Sequence, residues 1–222
     1  FSIMKEVIMK KLLFWMVLVV GIVVLLGSCA KKEESTTASS GTFTGTTTAA
    51  GSITFGSETL SGTYVSPCWT GGGLVAAFAS AGSMPSDLVA IRDVLVVTSD
   101  TSISEETHAY ADATCSTTSY YSKDGNTSFT VGVASGDNYK VTYTETSFKM
   151  MVGTTAAETW WEALFLAAGA TVNLTVGDVL SGTGSGKNEK NLFYVTSTTV
   201  TIGDDDNETY PTSMDSQVMT KQ

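Results

Sequence analysis

Short segments with many Val, Thr, Tyr and Phe residues dominate the chain after residue 58, and Gly, Asp, Asn and Ser separate them. This pattern is typical of antiparallel strands joined by turns. It predicts strands near residues 62–69, 89–98, 101–111, 116–122, 127–133, 139–144, 147–152, 170–176, 191–197 and 198–203. Turns are expected at 124–126, 135–138 and 203–207, where the residue types tolerate turn dihedrals.

One segment departs from the strand pattern. Thr155-Ala156-Ala157-Glu158 matches a capping box, and helix-forming residues follow it up to Gly169. The pattern predicts a short helix from about Ala156 to Ala168, with an apolar stripe that includes two tryptophans. Such a stripe is expected to pack on the outside or across the end of a barrel. A second short helix or irregular stretch is expected at 73–81.

The segment from Lys31 to Ser57 consists mainly of Ser, Thr, Gly and Ala. Because it has few apolar residues, we expect a flexible tether there, so that residues 29–58 link the N-terminus to a folded domain at 59–222. That domain is long enough for one core. Many short strands are compatible with an up-and-down antiparallel β-barrel of about eight strands or with a β-sandwich. Short turns between consecutive strands favour the barrel, so the predicted class is all-β.

Residues 1–28 have the pattern of a signal peptide, because lysines precede an apolar run that ends at small residues. The run is shorter than a spanning helix requires. The segment Leu26-Gly27-Ser28-Cys29 resembles the lipobox of bacterial lipoproteins. The resemblance implies cleavage before Cys29, acylation of Cys29 with chains such as palmitate, and membrane attachment. Ala30 follows the cysteine, which in that family favours the outer membrane. The alternative is a secretory signal or uncleaved anchor with an incidental cysteine.

The charge balance excludes one class of partner. The formal net charge is -10, and removal of residues 1–28 takes away three lysines and one glutamate, which leaves -12. An acidic protein without a basic cluster repels the phosphate backbone, so no nucleic acid is expected as a partner. The chain also has only one Arg and one His, which leaves few groups for gripping phosphates or transferring protons.

Two cysteines remain besides Cys29, namely Cys68 and Cys115. A disulfide is the default for such a pair in an exported protein. The loop that it would close corresponds to a stabilisation of about 4 kcal/mol in the chain-entropy model. A metal site or a reactive thiol are the alternatives, but two Cys and one His fall short of the four ligands of a structural zinc site.

Three other stretches contain residue types that carry chemistry in other proteins. His108 lies near Glu105 and Glu106 and is the best catalytic candidate, although a lone His is more often structural. Residues 182–187 match a phosphate-binding loop only in part, and we interpret them as a flexible hairpin loop. Residues 204–208 concentrate oxygen ligands that calcium prefers, but their spacing is not that of an EF-hand. We therefore predict no enzyme activity, no cofactor and no metal site.

Three blocks carry a second resemblance. They are residues 62–68, residues 110–115 and the stretches 191–194, 198–204 and 210–213. Together they resemble the bacterial lipocalin-like (calycin-like) lipoproteins, which implies an up-and-down barrel that encloses a cavity. The chain has Tyr64 where lipocalins have Trp, and it lacks the late Arg of that family, since Arg92 is its single arginine.

The two resemblances together predict a lipoprotein of the cell envelope, anchored to the outer membrane, that binds a small hydrophobic ligand or acts as an envelope binding module. The alternative is a surface protein–protein interaction or a structural role without a ligand. A ligand is expected to contact aromatic residues of the barrel and helix, namely Tyr64, Trp69, Trp160, Trp161, Phe165 and Tyr194.

Overall fold

The computed structural model describes residues 31–33, 47–203 and 209–222. The predicted signal peptide (1–28), Cys29 and the acidic residues 204–208, where part of a turn is predicted, lie outside these residues. The described strands are β1 (Lys31–Glu33), β2 (Ile53–Phe55), β3 (Glu58–Leu60), β4 (Thr63–Val65), β5 (Ala90–Ser99), β6 (Ser102–Tyr110), β7 (Thr118–Ser135), β8 (Asn138–Val152), β9 (Val179–Thr183), β10 (Asn188–Val195), β11 (Thr199–Ile202) and β12 (Met219–Lys221). The α-helices are α1 (Leu74–Ser80) and α2 (Thr155–Ala167), and a 3₁₀ turn (Gly71–Gly73) precedes α1.

Eight of these strands close into one antiparallel barrel in the order β4-β5-β6-β7-β8-β10-β11-β12, and β12 pairs with β4. β9 and β10 pair with the same edge of β8. β10 pairs with residues 139–144 of β8, and β9 pairs with residues 147–151. β1 pairs with the other edge of β9. The prediction of an all-β barrel of about eight strands is therefore confirmed, and one sheet closed on itself rules out the sandwich.

Two pairs of predicted strands are single long strands. β7 covers the predicted strand 127–133 and residues 118–122 of the predicted strand 116–122, and β8 covers 139–144 and 147–152. The turn predicted at 124–126 is wrong, because these residues pair with β6 on one side and β8 on the other. Two ladders of hydrogen bonds outweigh local turn preference, and only a register shift at Gly125/Asn126 remains. The turn at 135–138 is confirmed between β7 and β8.

The segment 170–176, predicted as a strand, is irregular. It connects α2 to β9, and the Glu162 side chain of α2 accepts a hydrogen bond from the backbone N–H of Leu174 at 2.7 Å. Leu174 is buried. The buried Leu174 side chain and its backbone hydrogen bond to Glu162 attach the segment to the helix, so the segment is held without the hydrogen bonds of a β-sheet. The loop interpretation of 182–187 is wrong in part, because β9 and β10 continue in the same direction along β8 and form no hairpin there.

Helix α2 confirms the predicted helix within one residue at each end. Its N-cap is Thr154, one residue before the predicted capping box, and the Thr154 hydroxyl accepts a hydrogen bond from the Ala157 N–H at 3.2 Å. Ala157, Trp161 and Phe165 recur every four residues and are buried. They belong to a cluster with barrel residues such as Tyr120 and Met150, which we call the helix-side core.

The hairpin of β2 and β3 was missed, and the prediction of a tether up to residue 58 is wrong at this point. Ile53, Phe55 and Leu60 are buried to 4%, 0% and 0% exposure. Their alternation around a turn at Gly56, where φ is 60°, is a strand pattern hidden in a Thr- and Gly-rich stretch. Phe55 packs between the rings of Phe129, Tyr139 and Phe193 at 5.6–6.1 Å between centroids. This second cluster is the hairpin-side core.

The predicted disulfide is confirmed. Cys68 and Cys115 are bonded with an S–S distance of 2.08 Å. Cys68 follows β4, and Cys115 lies in the connection between β6 and β7. Because β4 is only three residues long, the covalent link fixes its end against two longer strands of the barrel. It therefore clamps the short strand at the closure of the barrel.

Substituting Phe55→Ala should lower the free energy of unfolding by about 3–5 kcal/mol, since it empties a fully buried aromatic site. Urea unfolding measures the effect. The matched control is Thr54→Ala, at the exposed position between two buried ones, which should change stability by less than about 0.5 kcal/mol. Equal, small effects of both variants would mean that the hairpin is not part of the core.

Candidate functional site in the barrel interior

The direction of each barrel side chain follows from register, because directly paired residues of neighbouring strands face the same side of a sheet. One such row runs across four strands through Leu95, Glu105, Asp124 and Phe148. Leu95 lies in the hairpin-side core and Phe148 in the helix-side core. Both ends of the row therefore point into the barrel, and the two carboxylates between them point inwards as well.

The same reasoning places three more carboxylates inside. Asp93 shares a row with Met150 of the helix-side core, Glu145 pairs with Asn126, and Glu189 pairs with the buried Tyr143. We call these five inward carboxylates the acidic band: Asp93, Glu105, Asp124, Glu145 and Glu189. The band lies where the two apolar cores meet.

Glu145 is the most deeply buried member of the band. Its residue is 2% exposed, and both carboxylate oxygens are shielded from solvent without a hydrogen-bond partner among the described residues. Oδ1 of Asp124 is in the same condition. Native proteins satisfy nearly all buried polar atoms, because an unpaired one costs about 1–3 kcal/mol. Three oxygens of this kind in one interior therefore need an explanation.

Other members of the band have partners within the barrel. The Asn126 side chain, 2% exposed, donates a hydrogen bond to Oε2 of Glu105 at 3.0 Å. The Thr107 hydroxyl donates to Oδ1 of Asp93 at 3.5 Å. Asp93, Glu105 and Thr107 are also partly exposed, unlike the apolar residues around them. The interior is thus polar and accessible at its midpoint, while its two apolar cores are packed.

The charges in the band affect one another. Burial raises the pKa of Asp124 well above its ordinary value, and the neighbouring carboxylates of Glu145 and Glu189 raise it further. Each ionised neighbour makes the next ionisation less favourable, so a proton or a bound cation is stabilising at this place.

Irregular backbone positions Glu145. The register between β7 and β8 shifts at Gly125/Asn126, so that Thr146 on β8 has no direct partner. On the other side of β8, residues 184–187 interrupt the line of β9 and β10, and the Gly186 N–H donates to the Glu145 carbonyl at 2.9 Å. A Cβ at Gly184 would lie 2.7 Å from the Glu145 backbone, so glycine is required there. Bulges that re-aim a side chain are frequent beside binding sites.

The predicted ligand-contacting aromatics do not form one site. Trp161 and Phe165 are buried in the helix-side core, and Trp160 and Trp69 pack against it partly buried. Tyr64 is fully buried in the hairpin-side core. Tyr194 is 40% exposed and lies between two inward residues of β10, so it faces outwards. These residues form core and surface, whereas the band, which was not predicted, lies between the cores.

His108 lies on the outer face of β6. Its Nε2 is 2.8 Å from Oε2 of Glu106, and the Thr47 hydroxyl donates to Oε1 of the same carboxylate at 2.6 Å. The Lys123 ammonium donates to Thr47 Oγ1 at 3.0 Å. Burial acts to raise the pKa of Glu106, but the hydrogen bonds from His108 and Thr47 hold it below its ordinary value. This network attaches the segment before β2 to the barrel wall.

A pocket of about 280 Å³ lies on the outer wall above the register shift, and its lining includes Ser104, Lys123, Ser147 and Lys149. These residues alternate with the inward ones along their strands, but the inward residues Ile103 and Asn126 also line the pocket, so it lies in the wall next to the acidic band. None of the six predicted ligand-contacting aromatics lines it. Its hydroxyls and ammonium groups do not suit a hydrophobic ligand.

Within the described part of the chain, no three His, Cys, Asp or Glu side chains are placed to hold a metal ion. No helix among the same residues has the length and apolar content of a membrane span. The acidic band is therefore not a metal centre formed by three or more of these ligands.

No protein-family model matches the chain, and no curated protein matches it either. The closed eight-stranded antiparallel barrel is consistent with a calycin-like fold.

The raised pKa of Asp124 predicts how stability depends on pH. The carboxyl is favoured as the neutral acid in the fold, so its contribution is present at low pH and is lost as pH rises through the raised value. We expect Asp124→Asn to stabilise the protein at neutral pH by about 1–3 kcal/mol and to have little effect near pH 3.8, the ordinary value.

Urea unfolding across this pH range measures the difference. Asp137→Asn is the matched control, because Asp137 is exposed in the turn between β7 and β8 and the charge change is the same. Parallel pH profiles for the wild type and Asp124→Asn would contradict the account of the band.

Proposed function

We propose that this protein is a non-enzymatic, lipid-anchored binding module of the cell envelope, whose small-molecule ligand binds inside the barrel. The observation that carries the proposal is the accessible midpoint of the interior. Asp93, Glu105, Thr107, Asp124 and Glu189 keep accessible surface, while the packed cores lie on either side of them. A barrel of eight strands is just wide enough to be filled by side chains or to hold one small ligand.

The ligand that fits this interior has an apolar body and a polar group. Leu95 and Phe148 stand at the two ends of the row that contains Glu105 and Asp124, so apolar and polar contacts are available side by side. A purely hydrophobic molecule would leave the buried oxygens of Glu145 and Asp124 without a hydrogen-bond partner among the described residues, which is unfavourable in a desolvated site. The expectation of a hydrophobic ligand is therefore narrowed to an amphipathic one.

The alternative of a protein-interaction surface depended on an exposed tryptophan patch. Trp161 is 1% exposed, and Trp160 stacks on Tyr120 with 6.2 Å between ring centroids. Both rings therefore pack against the barrel, and this observation favours the interior over the helix as the site of binding.

The anchor part of the proposal rests on the lipobox pattern at Cys29. β1 begins at Lys31 and pairs with β9, so acylation at Cys29 would hold this edge of the barrel near the lipid headgroups. Lipoproteins of this kind carry more than one acyl chain, and two or more chains give durable attachment. We propose that the mature protein is located at the outer membrane, because Ala30 follows Cys29.

An interior-blocking variant tests the site. Thr107→Phe adds a ring to the accessible midpoint, so it should abolish binding of hexylamine, hexanol or hexanoate, whichever the wild type binds. Amide chemical-shift changes in NMR spectra measure the binding. Thr220→Phe, at an exposed position of β12, is the control and should bind like the wild type. If none of the three probes binds the wild type, or if binding survives Thr107→Phe in a folded protein, the interior is not the site.

Expression in a bacterial host with radiolabelled palmitate tests the anchor. The wild type should incorporate the label and sediment with membranes, because acylation follows from the lipobox. Cys29→Ala should lose both properties. A variant lacking Cys68 and Cys115 controls for other cysteines and should keep the label. Equal labelling of Cys29→Ala and the wild type would contradict the anchor.

A further inference from the structure

We propose that the barrel interior is a receptor site for an organic cation, in which an ammonium group donates hydrogen bonds to Glu145 and Asp124. The inference rests on the proposed function, since it names the chemical class of the interior ligand. It is carried by two inward carboxylates at the bulged centre of β7 and β8, whose solvent-shielded oxygens have no hydrogen-bond partner among the described residues.

The charged groups around Asp124 indicate which charge a ligand needs. The charged groups that act on Asp124 are the carboxylates of Glu145 and Glu189. Glu105 faces it from β6 and Asp93 lies one row away on β5. These four carboxylates lie on β5, β6, β8 and β10. The ligand that complements such an environment is positive.

The number of available acceptors indicates the kind of cation. The geometry does not offer three His, Cys, Asp or Glu groups to a metal ion within the described residues. Glu145 instead presents two bare acceptors and Asp124 presents one. An ammonium group carries its charge together with N–H donors, so it can satisfy three acceptors that lie on different strands. It therefore fits the site better than a hard metal cation.

Apolar side chains in the same row indicate what the rest of the ligand is. Phe148 pairs directly with Asp124, and Leu95 pairs with Glu105 in the same row. An alkyl or aromatic body next to the ammonium would contact these side chains. The ligand class is accordingly a small amphipathic amine.

Binding also moves a proton. The pKa of Asp124 is raised by burial and by its acidic neighbours, so this carboxyl keeps its proton to a higher pH than an ordinary aspartate does. When the ammonium arrives, it favours the ionised carboxylate, and the proton leaves to the buffer. No bond other than the O–H bond breaks, and no oxidant or further reactant is needed.

Three probes with the same six-carbon chain test the charge preference in the intact barrel. Isothermal titration calorimetry should give hexylamine at least tenfold tighter binding than hexanol, and hexanoate should not bind. Glu145→Gln should lower the affinity for hexylamine about tenfold to a hundredfold, as expected for loss of a charge-assisted hydrogen bond. The affinity for hexanol should stay within about twofold of the wild-type value. Asp124→Asn is a second variant with the same expected direction. Asp137→Asn, with the same charge change on an exposed turn, should match the wild type.

The outcomes separate this inference from the proposed function. If hexanol or hexanoate binds as tightly as hexylamine, the proposed interior site remains supported, but the preference for an organic cation is wrong. Hexylamine affinity unchanged by both Glu145→Gln and Asp124→Asn would overturn it too, as would equal competition by calcium or sodium. Proton release, measured in buffers that differ in ionisation enthalpy, should accompany hexylamine binding in part of the pH range above 3.8, the ordinary pKa of Asp124, and disappear in Asp124→Asn. No release in the wild type would contradict the role of Asp124.

Discussion

A closed antiparallel barrel gives every strand residue one of two directions, and this constraint determines the rest of the structure. Because directly paired residues share a face, the register of β5 to β8 fixes which side chains enter the interior. The cores at the two ends and the acidic band between them follow from that register. A slip of one residue would turn the whole set outwards, so the apolar cores also hold the carboxylates inside.

The two apolar cores explain how the barrel tolerates charge at its centre. Trp161 and Phe165 at the helix side, and Phe55 and Phe193 at the hairpin side, are all buried to 1% exposure or less. Burial of this kind offsets the unfavourable desolvation of Glu145 and Asp124. Sites that are destabilising in the empty protein are typical of places where a ligand supplies the missing partner.

The sequence was informative about strands, helix and disulfide because each depends on local pattern or on residue type. It was misleading at 124–126, where turn-forming residues lie in two ladders, and at 53–55, where two apolar residues in a polar stretch complete a hairpin. The acidic band could not be predicted for a related reason. On β6 the inward and outward faces both mix polar and apolar residues, namely Ile103, Glu105, Thr107 and Ala109 inwards against Ser104, Glu106, His108 and Tyr110 outwards. Alternation alone therefore does not say which set is inside, and only the long-range pairing decides it.

The central claim is that buried carboxylate oxygens of Glu145 and Asp124, which have no hydrogen-bond partner among the described residues, receive one when a cation binds. The most direct test is an NMR titration of the side-chain carboxyl carbons in the ligand-free protein and with saturating hexylamine. The account predicts that the carboxyl of Asp124 titrates well above its ordinary pKa of 3.8 in the free protein and that the amine lowers this pKa. An ordinary pKa in the free protein, or the same pKa with and without the amine, would contradict it.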